Sequence, residues 1–254
     1  MKQAVAALLA GAFLLAPAPT AAASSDPVAA LKSQTAVGKG VTFTDVSSFI
    51  ELSGTTKVMS RRGTLQYGKT GFAATDVSIK PLSEEKATSS LLVPERVITV
   101  GKSSYRKGGA FAGELPKGKV WVKTRKPLPA GLVGSFGQPV NAAEVSTLKA
   151  LVSVAERSGR IYTGSITFAQ LRKVSPWARA TVFGGANDDP IRFTLTLGAG
   201  DLPAKLVTTF QTRGHWLQYG AEGDEISHNT VYKGWGKKYT IAAPPASQIY
   251  TGKK

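Results

Sequence analysis

Two histidines, His215 and His228, and no cysteine are a small stock of reactive groups for a 254-residue chain. A zinc site needs several His, Cys, Asp or Glu ligands brought together, and neither H-E-x-x-H nor a clustered set of carboxylates accompanies either histidine. A serine nucleophile on a strand-to-helix elbow would show as G-x-S-x-G. The nearest approach, Gly134-Ser135-Phe136-Gly137, has the wrong frame. A Ser–His–Asp set assembled in space stays open, because such triads have no fixed order in the chain. The glycine-rich stretch 108–118 invites comparison with a phosphate-cradling loop, but it lacks G-x-x-x-x-G-K-S/T and reads as a surface turn. No metal, cofactor or poised nucleophile has a signature here, so binding is a better expectation than catalysis.

Charge is the strongest compositional signal: 32 Lys+Arg stand against 16 Asp+Glu, a formal net charge of +16. Such a field draws anionic partners and makes association salt-sensitive. The basic residues are scattered, as in Arg61-Arg62, Arg106-Lys107 and Lys237-Lys238, with no long block and no interleaved aromatics. For a secreted chain such charge favours anionic wall polymers or the phospholipid headgroups of a membrane surface over nucleic acid, and the scatter fits equally a solvated surface that keeps the protein soluble. Residues 1–23 read as a secretory leader: Lys2, an apolar run over 4–15 too short to span a bilayer, then Ala21 and Ala23 at the spacing of a cleavage site. Its loss leaves 31 − 16 = +15. The expectation is a monomer secreted to the extracytoplasmic space or cell envelope. Residues 24–254 suffice for one domain, which must be stabilised by its core because no disulfide is available.

The elements that would position any site are mostly strands. Residues 26–37 predict a short helix capped by Asp26 with Pro27 in its first turn. From Val41 a meander begins: Val41 and Phe43, then Val46, Ile50 and Leu52 on the other parity, as if a bulge lay near Asp45. Strands over 61–67 and 72–79 are joined by the hairpin Gly68-Lys69-Thr70-Gly71. Residues 82–90 read as a loop. Strands follow at 96–100, 104–107 and 120–122, where Trp121 faces either a ligand or the core. A Pro/Gly-rich connector over 126–139 leads to the best helix, with Asn141 as cap, Glu144 completing a capping box, and Val145, Leu148, Val152 and Ala155 on one face. A strand over 162–168 precedes a short helix over 168–174 closed by Ser175-Pro176. Ile191, Phe193, Leu195 and Leu197 then alternate with polar residues, and 205–211 returns as the partner of a hairpin that leads through Trp216.

The segment 224–248 closes the chain. Ile226, His228, Thr230 and Tyr232 share one parity; Gly234-Trp235-Gly236 is expected to turn the chain with the tryptophan as a plug; a short strand over 239–242 ends at Pro244-Pro245. Tyr232, Trp235, Gly236, Tyr239, Ile241 and the run Ala243-Pro244-Pro245-Ala246-Ser247-Gln248 resemble the ending of the actinobacterial LppX/LprG lipoproteins, which share the LolA-like fold. The resemblance implies an α+β architecture, a large curved antiparallel half-barrel with a few helices in its concave face and a hydrophobic cavity between. It carries over no ligand-binding residue. Many relatives have a lipobox cysteine after the leader, and this chain has none, so a released protein is expected in place of an anchored one.

About ten strands offer a wide apolar face, and one long helix with two short ones is too little to cover it. Either the sheet packs solid or a cavity remains, lined by residues such as Val145, Leu148, Val152, Phe193, Leu195 and Trp121. An empty apolar hollow costs stability, which makes a lipid or another hydrophobic small molecule its expected occupant. The alternative is a surface or sensor module of the same architecture that holds wall polymers or a membrane-protein partner through charge.

Overall fold

Period-two alternation of β-branched and aromatic residues dominates the chain, and it builds one sheet. The computed structural model describes residues 26–82, 93–109, 113–124, 137–180, 186–211 and 225–252. Within them the strands are β1 (Lys39–Glu51), β2 (Gly54–Gly68), β3 (Gly71–Pro81), β4 (Glu95–Val100), β5 (Ser103–Gly108), β6 (Trp121–Thr124), β7 (Glu156–Ser158), β8 (Ile161–Thr167), β9 (Pro190–Leu197), β10 (Pro203–Gln211), β11 (Glu225–Lys238) and β12 (Ile249–Tyr250). They lie in one open sheet of order β12-β6-β5-β4-β3-β2-β1-β11-β10-β9-β8-β7. Every neighbouring pair is antiparallel except β12 and β6, which run parallel. The fold is α+β. Among the described residues no helix is long and apolar enough to cross a membrane.

Four helices complete it: α1 (Pro27–Gln34), α2 (Val145–Val154), α3 (Phe168–Val174) and α4 (Pro176–Ala180). Asp26 caps α1 as expected, accepting from the Val28 N–H at 2.8 Å, with proline at the first turn. Leu31 of α1, Leu148 and Leu151 of α2, Phe168 and Leu171 of α3, and Trp177 of α4 share one core with Val41, Phe43, Leu65, Val77, Ile191, Phe193, Leu195, Leu206, Ile226 and Tyr232 of the sheet. Directly opposed residues in an antiparallel ladder point to the same side. All four helices thus contribute to the core on one face of the sheet, termed inner here, and the other parity forms the outer face.

Several expected elements take a different form. Gly234 and Gly236 have φ of 72° and 71°, but β11 continues through them. Between Gly40 and Thr42 of β1 the partners jump from Lys237 to Lys233, so the triplet is a bulge and not a turn. Trp235 packs 5.7 Å from Tyr232 and donates to the Pro203 carbonyl at 2.9 Å, which holds the bulge in place. Residues 239–242 are not a strand. Tyr239 and Ile241 instead lay the tail across the outer face, where the Ile241 N–H donates to Gln66 Oε1 at 3.0 Å, before the chain rejoins the sheet as β12. The bulge expected near Asp45 is on the neighbouring strand β2, where Ser47 pairs with Met59 and Ser48 with Lys57, leaving Val58 as the extra residue.

Helix α2 starts at Val145, with Glu144 in the cap position and no side-chain capping bond. Asn141 instead turns the chain locally, its Oδ1 accepting from the Ala143 N–H at 3.0 Å. The reciprocal capping box belongs to Thr167 and Gln170 at the start of α3. Ser175-Pro176 does not simply close that helix but opens α4. The leader, the loop from 83 onward, most of the connector before 137, Ser135, His215 and Trp216 fall outside the described residues.

Trp121 stands apart from the other cavity candidates. Val77 opposes Val97 on the inner face, so Ile98, Tyr105 and Trp121, of the other parity, are on the outer one. There they form a second small core beneath Val100, Ile241 and Ile249, with the Arg96 guanidinium 5.8 Å from the indole ring. Trp121→Ala is expected to destabilise the fold by about 3 kcal/mol or more in urea titrations. It should leave any binding on the inner face unchanged.

Candidate functional site

The middle of the inner face carries charge where an apolar lining was expected. Asp45 and Ser47 of β1 share the parity of Val41 and Phe43, so the pleat turns them inward; both are at most 1 % exposed. A lone buried carboxylate is costly, and this one is paired. Arg61 of β2 donates to Asp45 Oδ2 at 2.8 Å, Thr230 of β11 donates to the same oxygen at 3.0 Å, and the guanidinium lies 5.9 Å from the Phe43 ring centre. Gln138 extends the chain of bonds, donating to Thr230 Oγ1 at 3.4 Å and accepting from Thr208 at 2.7 Å. Gly137 lies so close that a Cβ there would sit 2.0 Å from Arg61 Cζ. Only glycine fits.

His228 and Ser47 continue this network, 2.8 Å apart, with Phe210 stacked on the imidazole at 5.5 Å. Ser47 and His228 thus meet in space, but Asp45 is bonded to Arg61 and Thr230 and not to the imidazole, so these three residues do not make the relay that the sequence left open. Ser47 bonds Nδ1, His228 is fully buried, and Nε2 has no hydrogen-bond partner. Burial pushes the imidazole down to about 4, opposed by the Asp45 charge and reinforced by Arg61. A space of about 10 Å³ beside Asp45, Arg61 and Gln138 is the size of one water. Asp45 Oδ1 and Arg61 Nε and Nη1 have no protein partner, so the polar walls of that space match what a bound water requires.

The segment 137–144 covers this network with little regular structure. Tyr232 accepts from the Ala142 N–H at 3.1 Å, Tyr67 donates to the Ala143 carbonyl at 2.9 Å, and Trp177 Nε1 donates to the Gln138 carbonyl at 3.1 Å. Glu144 ties α2 to α4: its carboxylate accepts from Thr147 at 2.8 Å, from the Trp177 N–H at 2.8 Å, and from Ser175. Burial raises the Glu144 carboxyl above its ordinary range, while these hydrogen bonds pull the other way.

Beside this lid lies an open groove of about 630 Å³ between the β2–β3 hairpin and helices α2 and α4. Tyr67, Phe72, Ala143, Val145, Trp177 and Ala180 supply apolar surface, Lys69 and Lys149 also line it, and Thr75 and Thr99 come from the sheet. Tyr67 and Phe72 stack at 5.2 Å. Thr75 is 4 % exposed and its hydroxyl has no partner.

Of the expected lining residues, only Val145 borders this groove. Leu148 and Leu195 are fully buried in the protein's own core, and Val152 packs against that core half-buried. Phe193, also in the core, touches a different recess on the β8–β10 side, and Trp121 is on the outer face. These five residues do not meet around one cavity. Tyr67, Phe72 and Trp177 were missed, although a tyrosine and a phenylalanine flanking the Gly68–Gly71 hairpin are directly opposed in the register which that turn sets. Among the described residues no group of three or more His, Cys, Asp or Glu gathers as metal ligands do.

No protein-family model matches the chain, and no curated protein matches it in sequence. The likeness to the LppX/LprG lipoproteins thus rests on the residues of the tail.

Two outcomes follow from the buried network. The folded-state pKa of His228 lies below its unfolded value, so its contribution is full above pH 6.5 and is lost as pH falls to about 4. Urea midpoints measured across that window should show wild type losing roughly 3 kcal/mol more than His228→Asn. Arg61→Met leaves Asp45 unpaired and should cost about 3–5 kcal/mol at neutral pH by the same measurement.

Proposed function

We propose that this protein is a secreted, monomeric, non-enzymatic carrier that binds a lipid-like amphiphile, its apolar tail lying in the groove between the β2–β3 hairpin and helices α2 and α4. The observation that carries the reading is the groove itself, about 630 Å³ and mainly apolar, with aromatic walls. Small-molecule sites fall in the range of about 300–1,000 Å³ and are apolar with a few placed polar groups. Thr75, buried and without a partner, is such a group. Lys69 and Lys149 give an anionic headgroup two cations to approach.

Burying about ten methylenes contributes roughly 8 kcal/mol, which exceeds a lower-end association cost of ~4 kcal/mol. A wide sheet with its helices on one face, together with the tail residues, supports an LppX/LprG-type reading of the LolA-like fold. The proposed ligand sits at one end of the helix–sheet interface, because the centre is occupied by Asp45, Arg61 and Gln138.

Native mass spectrometry of the purified protein and uptake of a fluorescent fatty acid from vesicles test this directly. Val145→Trp fills the groove and is expected to weaken uptake at least tenfold with little change in stability. Leu195→Ala, a core control, is expected to lower stability by about 3 kcal/mol and leave affinity unchanged. Apo protein alone in the spectrum, with no uptake from vesicles, would falsify the carrier reading.

A further inference from the structure

The outer face of the sheet has its own charge pattern. Register places Arg62, Lys80, Lys107, Lys123, Lys205 and Lys233 on this side, all exposed. None has an ion-pair partner among the described residues. Two of the carboxylates on this face are already neutralised: Asp76 accepts both donors of Arg96 at 2.6 and 2.8 Å, and Glu225 pairs with Arg192. A third, Glu156, stands on the edge strand β7.

The cations are not evenly spread. Ser60 opposes Lys80, which makes Arg62 and Lys80 diagonal neighbours across β2 and β3; Val231 opposes Lys205, which does the same for Lys205 and Lys233 across β10 and β11. Such neighbours are ~7–8 Å apart and repel when their charges are alike. Three strand spacings, ~14 Å, separate the two pairs. Hydroxyls lie among them, including Thr44, Thr64, Ser78 and Thr196, alongside half-buried Val46, Val207 and Val231. At the β8–β10 end the face dips into a recess of about 590 Å³ bordered by Thr163, Ser165, Arg192, Thr194 and Thr209, with Glu156 and Val154 at its edge-strand side.

We infer that this outer face docks a linear, hydroxyl-rich polyanion, a phosphodiester polymer of the kind that charge and hydroxyls together would recognise. A bound polyanion relieves the repulsion within each cation pair, and the threonines and serines supply hydrogen bonds to its polyol units. An anionic bilayer fits less well, because docking there gains from inserted apolar groups. Among the described residues, exposed Leu52 and Leu82 lie at the ends of strands, and the large exposed apolar side chains at this face, Ile161 and Val154 beside the recess, are near the sheet edge. The inference is independent of the groove, which opens on the inner face.

Full-length protein is titrated with poly(glycerol phosphate) by calorimetry at several salt concentrations. The triple substitution Arg62→Gln, Lys80→Gln, Lys205→Gln is compared with Lys32→Gln, Lys39→Gln, Lys173→Gln, which removes the same charge from the helices and the inward parity of β1. The first is expected to weaken binding at least tenfold and to flatten the slope of log K against log salt by about 2. The second is expected to keep most of the affinity, and both keep the wild-type melting temperature. Equal losses in the two variants overturn the inference, since they reveal a diffuse field with no docking face. Absence of polymer binding at low salt overturns it too, as does binding to phosphatidylglycerol vesicles in preference to the polymer.

Discussion

A carboxylate in the middle of a β-sheet's covered face sets the terms for what surrounds it. Asp45 cannot stay ionised there without a partner, and Arg61 and Thr230 from the two flanking strands provide it. Arg61 is itself buried, so its guanidinium must be covered by something thin and polar. Gly137 supplies bare backbone and Gln138 an amide that bonds on both sides. The irregular course of 137–144 follows from this. A helix would satisfy its own backbone; this segment leaves backbone groups to meet Tyr67, Tyr232 and Trp177.

The helix shortage read from the sequence is thus met in an unexpected way. Area arguments count apolar faces, and they treat anything not covered by a helix as void. Here buried polar side chains and the irregular segment 137–144 occupy the centre, with a space the size of one water beside Asp45 and Arg61. The void moves sideways, to where the β2–β3 hairpin reaches beyond the helices. A ligand in that position would contact a hairpin end and two short helical stretches.

Strand content was legible because period-two patterning survives any register: β9, with Ile191, Phe193, Leu195 and Leu197 buried in turn, could be read directly. So could the cap of α1. The polar network was present in the parity of Asp45 and Ser47, but reading a bulge at Asp45 removed an awkward inward charge from the pattern, whereas the bulge is in β2 at Val58. The two capping-box patterns, Asn141 with Glu144 and Thr167 with Gln170, are equally good locally. Only the second forms, because Ser175 and the Trp177 N–H, some thirty residues away, claim the Glu144 carboxylate. Within α2, Val145 borders the groove and Leu148, one turn on, is core; periodicity marks the buried face of a helix but not where the material opposite it ends. Trp121 shows the same limit for a strand, since alternation has no label for which face is covered by helices and which by the tail.

Trp177 joins the buried network to the groove, because it borders both the water-sized void and the larger open space. Its indole N–H is bound to the Gln138 carbonyl, its backbone N–H to Glu144, and its ring meets Phe43 edge-on at 6.3 Å. Three separate anchors leave this wall of the groove little freedom to move. A site whose walls are fixed beforehand loses less conformational entropy when a ligand arrives. The charge buried under Gly137, by demanding the cover that positions Trp177, helps shape an apolar surface that it does not itself touch.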